Sequence, residues 1–230
     1  MAMKAWVAGA AALLVGGAQE SNEAEKLFRR MEKKLLEAET ISLEGQSDYK
    51  MEMGVSKMEW SVLLAKGHKF NYSIKSVGEI ITPDLEGVSD GRDVRVTSGG
   101  KIEDRKVQGD LGTNVVGTLA RAGFVATMPV ALEGDRPDRS LDERYKVSGF
   151  ELGKKEKVGD KDAQVLRYSA TFVDRDKATV ELWVDVKDEM PVKRVLSYKG
   201  RDESIVVTET YKKIAVGEKI DPAKFELPKK

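Results

Sequence analysis

The sequence predicts a mainly β fold, one curved antiparallel sheet of ten or eleven strands with helices packed on its concave face. Three observations lead there. From Ile41 onward apolar residues recur at alternate positions between turn-forming pairs. Two stretches, 21–39 and 110–132, interrupt that rhythm with helical spacing. No strand–helix–strand alternation is present to build a parallel sheet.

The elements follow in order. Met1–Lys4 is a short basic start, Ala5–Val15 is apolar, and Gly16-Gly17-Ala18 supplies the small residues that a signal peptidase reads. The apolar run falls short of the roughly 20 residues a membrane span needs. Residues 1–18 are therefore expected to be a cleaved signal peptide, with a retained anchor as the alternative. Residues 19–230 are then a single exported domain that begins at Gln19. Ser21 or Asn22 can cap a helix, with Glu23 and Glu25 in its first turn. Ala24, Leu27, Phe28, Met31, Leu35 and Ala38 share one face of that helix, which ends near Glu39.

Beyond Ile41, Met58, Trp60, Val62 and Leu64 alternate with Glu59, Ser61, Leu63 and Ala65. After the Lys66-Gly67 turn, Phe70, Tyr72 and Ile74 do the same, which makes a hairpin with one apolar face. Asp90-Gly91 turns the chain into a strand carrying Val94 and Val96. Gly99-Gly100 turns it again into a strand ending at Val107. Leu111, Val115, Leu119 and Ala122 mark a second helix, weakened by Gly112, Gly117 and Gly123 at about 1 kcal/mol each relative to alanine. Phe124, Val125, Met128, Val130 and Leu132 prolong its apolar run. This helix is either a plug for the sheet or a movable lid. A meander completes the chain, with strands expected at 144–150, 154–158, 163–172, 177–186, 192–198 and 204–214. Val180, Leu182, Val184 and Val186 line one face of their strand, and Thr179, Glu181, Trp183 and Asp185 the other.

Composition narrows the function. Lys+Arg and Asp+Glu are both 39, so no basic excess exists to neutralise phosphates, and no nucleic-acid partner is expected. The chain has no cysteine, which removes disulfides, thiolate metal sites, cysteine nucleophiles and lipidation at an N-terminal cysteine. The single histidine, His68, sits at a hairpin turn without a second histidine or a nucleophile motif. Asp174 and Asp176 read as turn chemistry. Asp135, Asp138 and Asp142, interleaved with Arg136, Arg139 and Arg144, read as a solvated loop. Asn71-Tyr72-Ser73 falls in mid-strand and is discounted as a glycosylation site. No catalytic residue, metal site or cofactor is expected, and the chain reads as a binder rather than an enzyme.

Four features resemble the outer-membrane lipoprotein carrier family and its LolA-like superfamily. They are the order of leader, amphipathic helix and strands opening with Ile41-Ser42-Leu43-Glu44-Gly45; Val88-Ser89-Asp90-Gly91; Glu181-Leu182-Trp183-Val184-Asp185 followed by Met190-Pro191-Val192-Lys193-Arg194; and the tail Ile220-Asp221-Pro222-Ala223-Lys224-Phe225-Glu226-Leu227-Pro228. The resemblance implies an unclosed barrel whose concave side holds helices and an apolar cavity. It also implies a periplasmic or envelope location and lipid or lipoprotein acyl chains as ligand, with envelope membrane proteins as further partners of a monomer. Side chains available to line such a cavity are Met58, Trp60, Leu64, Phe70, Tyr72, Ile74, Val94, Val96, Phe124 and Met128. The aromatic content is only 7%, a departure from the carrier pattern. A protein-interaction or sensor module with a filled core is the alternative on the same fold.

Overall fold

A computed structural model describes residues 10–52, 54–77, 84–107, 110–124, 140–172, 177–199 and 204–228. Among them, eleven strands form one antiparallel sheet in the order β6-β5-β4-β3-β2-β1-β11-β10-β9-β8-β7, and the ends β6 and β7 do not pair to close it. The strands are β1 Thr40–Met51, β2 Gly54–Ala65, β3 Lys69–Ser76, β4 Leu85–Asp90, β5 Asp93–Ser98, β6 Lys101–Lys106, β7 Tyr145–Val158, β8 Lys161–Phe172, β9 Lys177–Asp185, β10 Pro191–Lys199 and β11 Ser204–Val216. One meander runs outward from β1 to β6. A second enters at the opposite edge with β7 and returns inward until β11 pairs with β1. The connection from β6 to β7 must therefore cross from one edge of the sheet to the other. It carries helix α2, Leu111–Ala122, and the short helix α3, Leu141–Arg144.

Helix α1 runs Ala10–Glu37. This corrects the expected start at Ser21 or Asn22: the helix continues upstream through those positions and neither residue caps it. Among the described side chains of α1, Ala24, Phe28 and Met31 are buried against the sheet. They cover the concave face of β7–β11, where Leu166, Tyr168, Val180, Leu182, Leu196 and Val207 form one apolar cluster. Phe28 is fully buried, with ring centroids 5.0 Å from Phe150 and 5.0 Å from Tyr168. The β9–β10 turn pins the outer side of α1, because Glu189 accepts from Arg30 Nε at 2.9 Å and Lys34 Nζ at 2.6 Å. The Lys34 hydrogen bond, with Arg30 behind it, holds the Glu189 carboxyl below its ordinary range.

Other boundaries also differ from the alternation. The two strands expected at 144–150 and 154–158 are one, β7, with register shifts near Gly149 and Gly153. Val186 lies past the end of β9 and is 47% exposed, whereas Trp183 and Asp185 on the opposite face are buried. There Lys193 Nζ sits 4.4 Å from the centre of the Trp183 ring, whose Nε1–H donates to Glu156 at 2.9 Å. Asp142 is no bystander in a loop, since it accepts from Arg121 Nη1 at 2.6 Å. Asp135, Asp138, Asp174 and Asp176 lie outside the described residues. The tail forms a 3-10 turn, Pro222–Phe225, capped by Asp221, and buries Phe225 beside β3 and β4. Asn71 Nδ2 donates to the Lys224 carbonyl at 2.7 Å and Arg95 Nη1 to that of Pro228.

Candidate functional site

The register of the first meander builds an apolar concave surface row by row. Leu43 faces Val62 and Val62 faces Tyr72; Ile41 faces Leu64 and Leu64 faces Phe70; Ser89 faces Val94 and Gly87 faces Val96. Period-two alternation places all of these on one side of the sheet. Gly87 matters locally, because a Cβ there would lie 2.3 Å from the Tyr72 ring. Helix α2 lays Leu111, Val115 and Leu119 over this surface, joined by Ala120 and Phe124. Phe124 stacks on Trp60 at 4.4 Å between ring centres, and Trp60 Nε1–H donates to Ser47 at 2.8 Å.

Eight of the expected cavity residues, Trp60, Leu64, Phe70, Tyr72, Ile74, Val94, Val96 and Phe124, are buried in this single cluster, and Met58 packs against it half-buried. Met128 lies outside the described residues. The cluster is covered by α2 rather than open. A cleft of about 260 Å³ does open where the start of α2 meets the ends of α1 and of the β2–β3 hairpin. Leu36, Ile41, Leu64, Phe70, Val115 and Val116 give it apolar walls; Lys66, His68, Lys69, Asp110 and Thr113 ring it with polar groups. Ligand pockets usually span about 300–1,000 Å³, so this cleft is small.

Each end of α2 is fastened by side chains of the sheet. At its C-terminal end, Arg194 of β10, with no exposed surface, donates from Nη1 to the Leu119 carbonyl and from Nη2 to that of Ala120, both at 2.8 Å. Tyr168 of β8 donates to the Arg121 carbonyl at 2.8 Å. These carbonyls belong to the last turn, where among the described residues only Leu119 has a backbone donor, the Gly123 N–H at 3.2 Å, and a cation there also meets the negative end of the helix dipole. Glu209 of β11 lies opposite Arg194 in the register. Its carboxylate accepts the Phe124 N–H at 3.1 Å and the Tyr211 hydroxyl at 2.6 Å, with Arg194 Nη1 3.9 Å away. Burial pushes the Tyr168 hydroxyl up to about 12 and that of Tyr211 well above its ordinary value. Gly123 has φ +95°, and a Cβ there would lie 2.4 Å from Glu209 Oε2.

Arg121 ties α2 sideways. It donates from Nε to Glu32 of α1 at 2.5 Å and from Nη1 to the Tyr145 carbonyl at 2.8 Å. At the N-terminal end Asp110 caps α2 by accepting from Thr113 N–H at 3.2 Å, and Gly112 N–H donates to His68 Nδ1 at 3.1 Å. The sequence reading missed this set of buried charges. Its signal was parity: Arg194 shares the face of Leu196, and Glu209 that of Val207 and Tyr211.

No protein-family model matches the chain, and no curated protein matches it. Solved structures do. The chain is similar to a LolA superfamily protein from Nitrosomonas europaea, with 13% identity and a TM-score of 0.40 over 89% of this chain and 97% of that one. It is similar to LprF from Mycobacterium bovis, with 8% identity and a TM-score of 0.47 over 88% and 96%. It is also similar to the Pseudomonas aeruginosa MucA/MucB complex structure, with 14% identity and a TM-score of 0.41 over 90% of this chain; that match spans 61% of the other chain. These similarities concern the fold and assign no ligand. Among the described residues no helix is long and apolar enough to cross a membrane.

Proposed function

We propose that this protein is exported to the periplasm or cell envelope and there holds the acyl chain of a lipid or lipoprotein between its concave face and α2. The observation that carries this reading is the contrast at α2. Its inner face rests on a continuous apolar surface, while its ends are fastened by hydrogen bonds and charges. Such a helix is a lid, because its fastenings are confined to its ends and, once they open, the apolar surface beneath is left for an apolar guest.

Magnitudes agree with a long guest. Lifting α2 exposes Leu111, Val115, Leu119 and Phe124, at about 1.5–3 kcal/mol for each side chain. Each acyl methylene buried in their place returns about 0.8 kcal/mol. A chain of about 14 methylenes therefore offsets the apolar part of the cost, and a short apolar group does not. The guest shifts a two-state equilibrium by its preference for the open state. Entry and release both require the lid to lift.

A second reading is favoured by one observation. The cluster beneath α2 is filled, with Trp60 and Phe124 stacked and buried, as in a protein-interaction or sensor module. Uptake of a fluorophore-labelled 16-carbon fatty acid separates the two. The lid reading expects saturable binding by the wild type and at least tenfold weaker binding by Trp60→Glu, with its folding checked by circular dichroism. Equal binding by a folded Trp60→Glu variant removes the concave face from the site, and no wild-type binding favours the interaction module.

A further inference from the structure

His68 is the single histidine of the chain, and its backbone lies in the left-handed region at φ +63°. Its side chain is one-third exposed at the mouth of the cleft. The Gly112 N–H belongs to the first turn of α2, where helical amides have no partner within the helix. That N–H donates to Nδ1 at 3.1 Å, so Nδ1 must be the unprotonated nitrogen and Nε2 carries the proton. An imidazolium has hydrogens on both nitrogens and accepts nothing. Protonation thus removes this hydrogen bond and sets a cation against the positive end of the helix dipole.

Among the described residues, the charged groups that line the cleft with His68 are Asp110 at the start of α2, Lys66 and Lys69 from the hairpin, and Glu39 from the α1–β1 junction. Asp110 Oδ1 is 3.7 Å from Nδ1 and is the acceptor for Thr113 N–H. A protonated Nδ1 therefore competes for the helix cap instead of supporting the helix. Glu39 is already paired with Lys66 at 2.5 Å. Imidazole is the side-chain type that ordinarily changes charge between pH 5 and 8, which sets the range of the test.

We propose that His68 is a pH-sensitive clasp on the N-terminal end of α2: neutral, it holds the helix over the cleft; protonated, it lets that end loosen. The clasp stands on geometry alone, while faster ligand exchange in acid rests on the lid reading above. Asparagine tolerates the left-handed region and offers a carbonyl acceptor that does not titrate. His68→Asn is accordingly the decisive variant.

The test is the protection factor of the Gly112 amide by NMR hydrogen exchange, from pH 8 to pH 5, with release of the labelled 16-carbon fatty acid followed in parallel. In the wild type, protection falls about tenfold towards pH 5 and probe release speeds up by a similar factor. In His68→Asn both stay level. A pH-independent wild-type protection factor overturns the clasp, even if the variant fails to fold, and so does a folded variant that follows the wild type. Gly112 responding while no probe binds at any pH supports the clasp and overturns the lid reading alone.

Discussion

Replacing Arg194 with methionine is expected to lower the stability of the protein by about 3–5 kcal/mol, the range for removing one partner of a buried pair. The methionine fills similar space but removes the guanidinium donors of the Leu119 and Ala120 carbonyls, of which Leu119 keeps the Gly123 N–H. It also takes the Arg194 guanidinium away from the Glu209 carboxylate beneath α2. At about 2–4 °C per kcal/mol for a chain of this size, the melting temperature should fall by roughly 10 °C. The double variant Arg194→Met/Glu209→Gln should recover part of that loss. The buried charge is then gone, while the glutamine oxygen still accepts from Phe124 N–H and Tyr211. Urea denaturation of the three proteins measures both effects. A loss under about 1 kcal/mol in the single variant would mean that α2 does not depend on this fastening. An additive double variant would mean that Arg194 and Glu209 act independently.

Phe28→Ala is expected to cost a similar amount, about 3–5 kcal/mol for truncating a buried phenylalanine. Phe28 is the knob by which α1 enters the aromatic set with Phe150 and Tyr168. The loss should not simply add to that of Arg194→Met. Tyr168 lies in both structures, since its ring packs on Phe28 and its hydroxyl holds the Arg121 carbonyl of α2. A cavity beside that ring loosens the position of the hydroxyl as well, so the two substitutions should show coupling of about 0.5–3 kcal/mol. Urea unfolding of both single variants and the double measures it. Strict additivity would show that the covers over the two halves of the sheet are energetically separate.

What the residues disclosed and what they concealed follows from how each signal arises. Trp60, Val62 and Leu64 on β2, and Phe70, Tyr72 and Ile74 on β3, are legible because their partners alternate strictly; the pleat turns that alternation into one face. The face of α2 is legible in the same way from Leu111, Val115 and Leu119. The start of α1 was concealed because Ser21 and Asn22 are good caps, yet caps are preferences, and the helix runs through them. The bends in β7 resembled a break because Gly149 and Gly153 read as turn residues, while the ladder to β8 absorbs them as register shifts. The fastenings of α2 were hidden for a different reason. Arg194 and Arg121 look like solvated residues in a chain that is 34% charged, and only the fold brings Glu209 and Glu32 to them across 15 and 89 positions.

The most direct measurement is native mass spectrometry of the chain from Gln19, purified from an envelope fraction, with solvent extraction of whatever accompanies it. The lid reading predicts one stoichiometric adduct whose extract is a lipid or acylated peptide with a long hydrocarbon chain, lost when Trp60 is changed to glutamate. A bare protein mass that stays bare after incubation with phospholipid vesicles would contradict it and leave α2 as a fixed plug over a filled core.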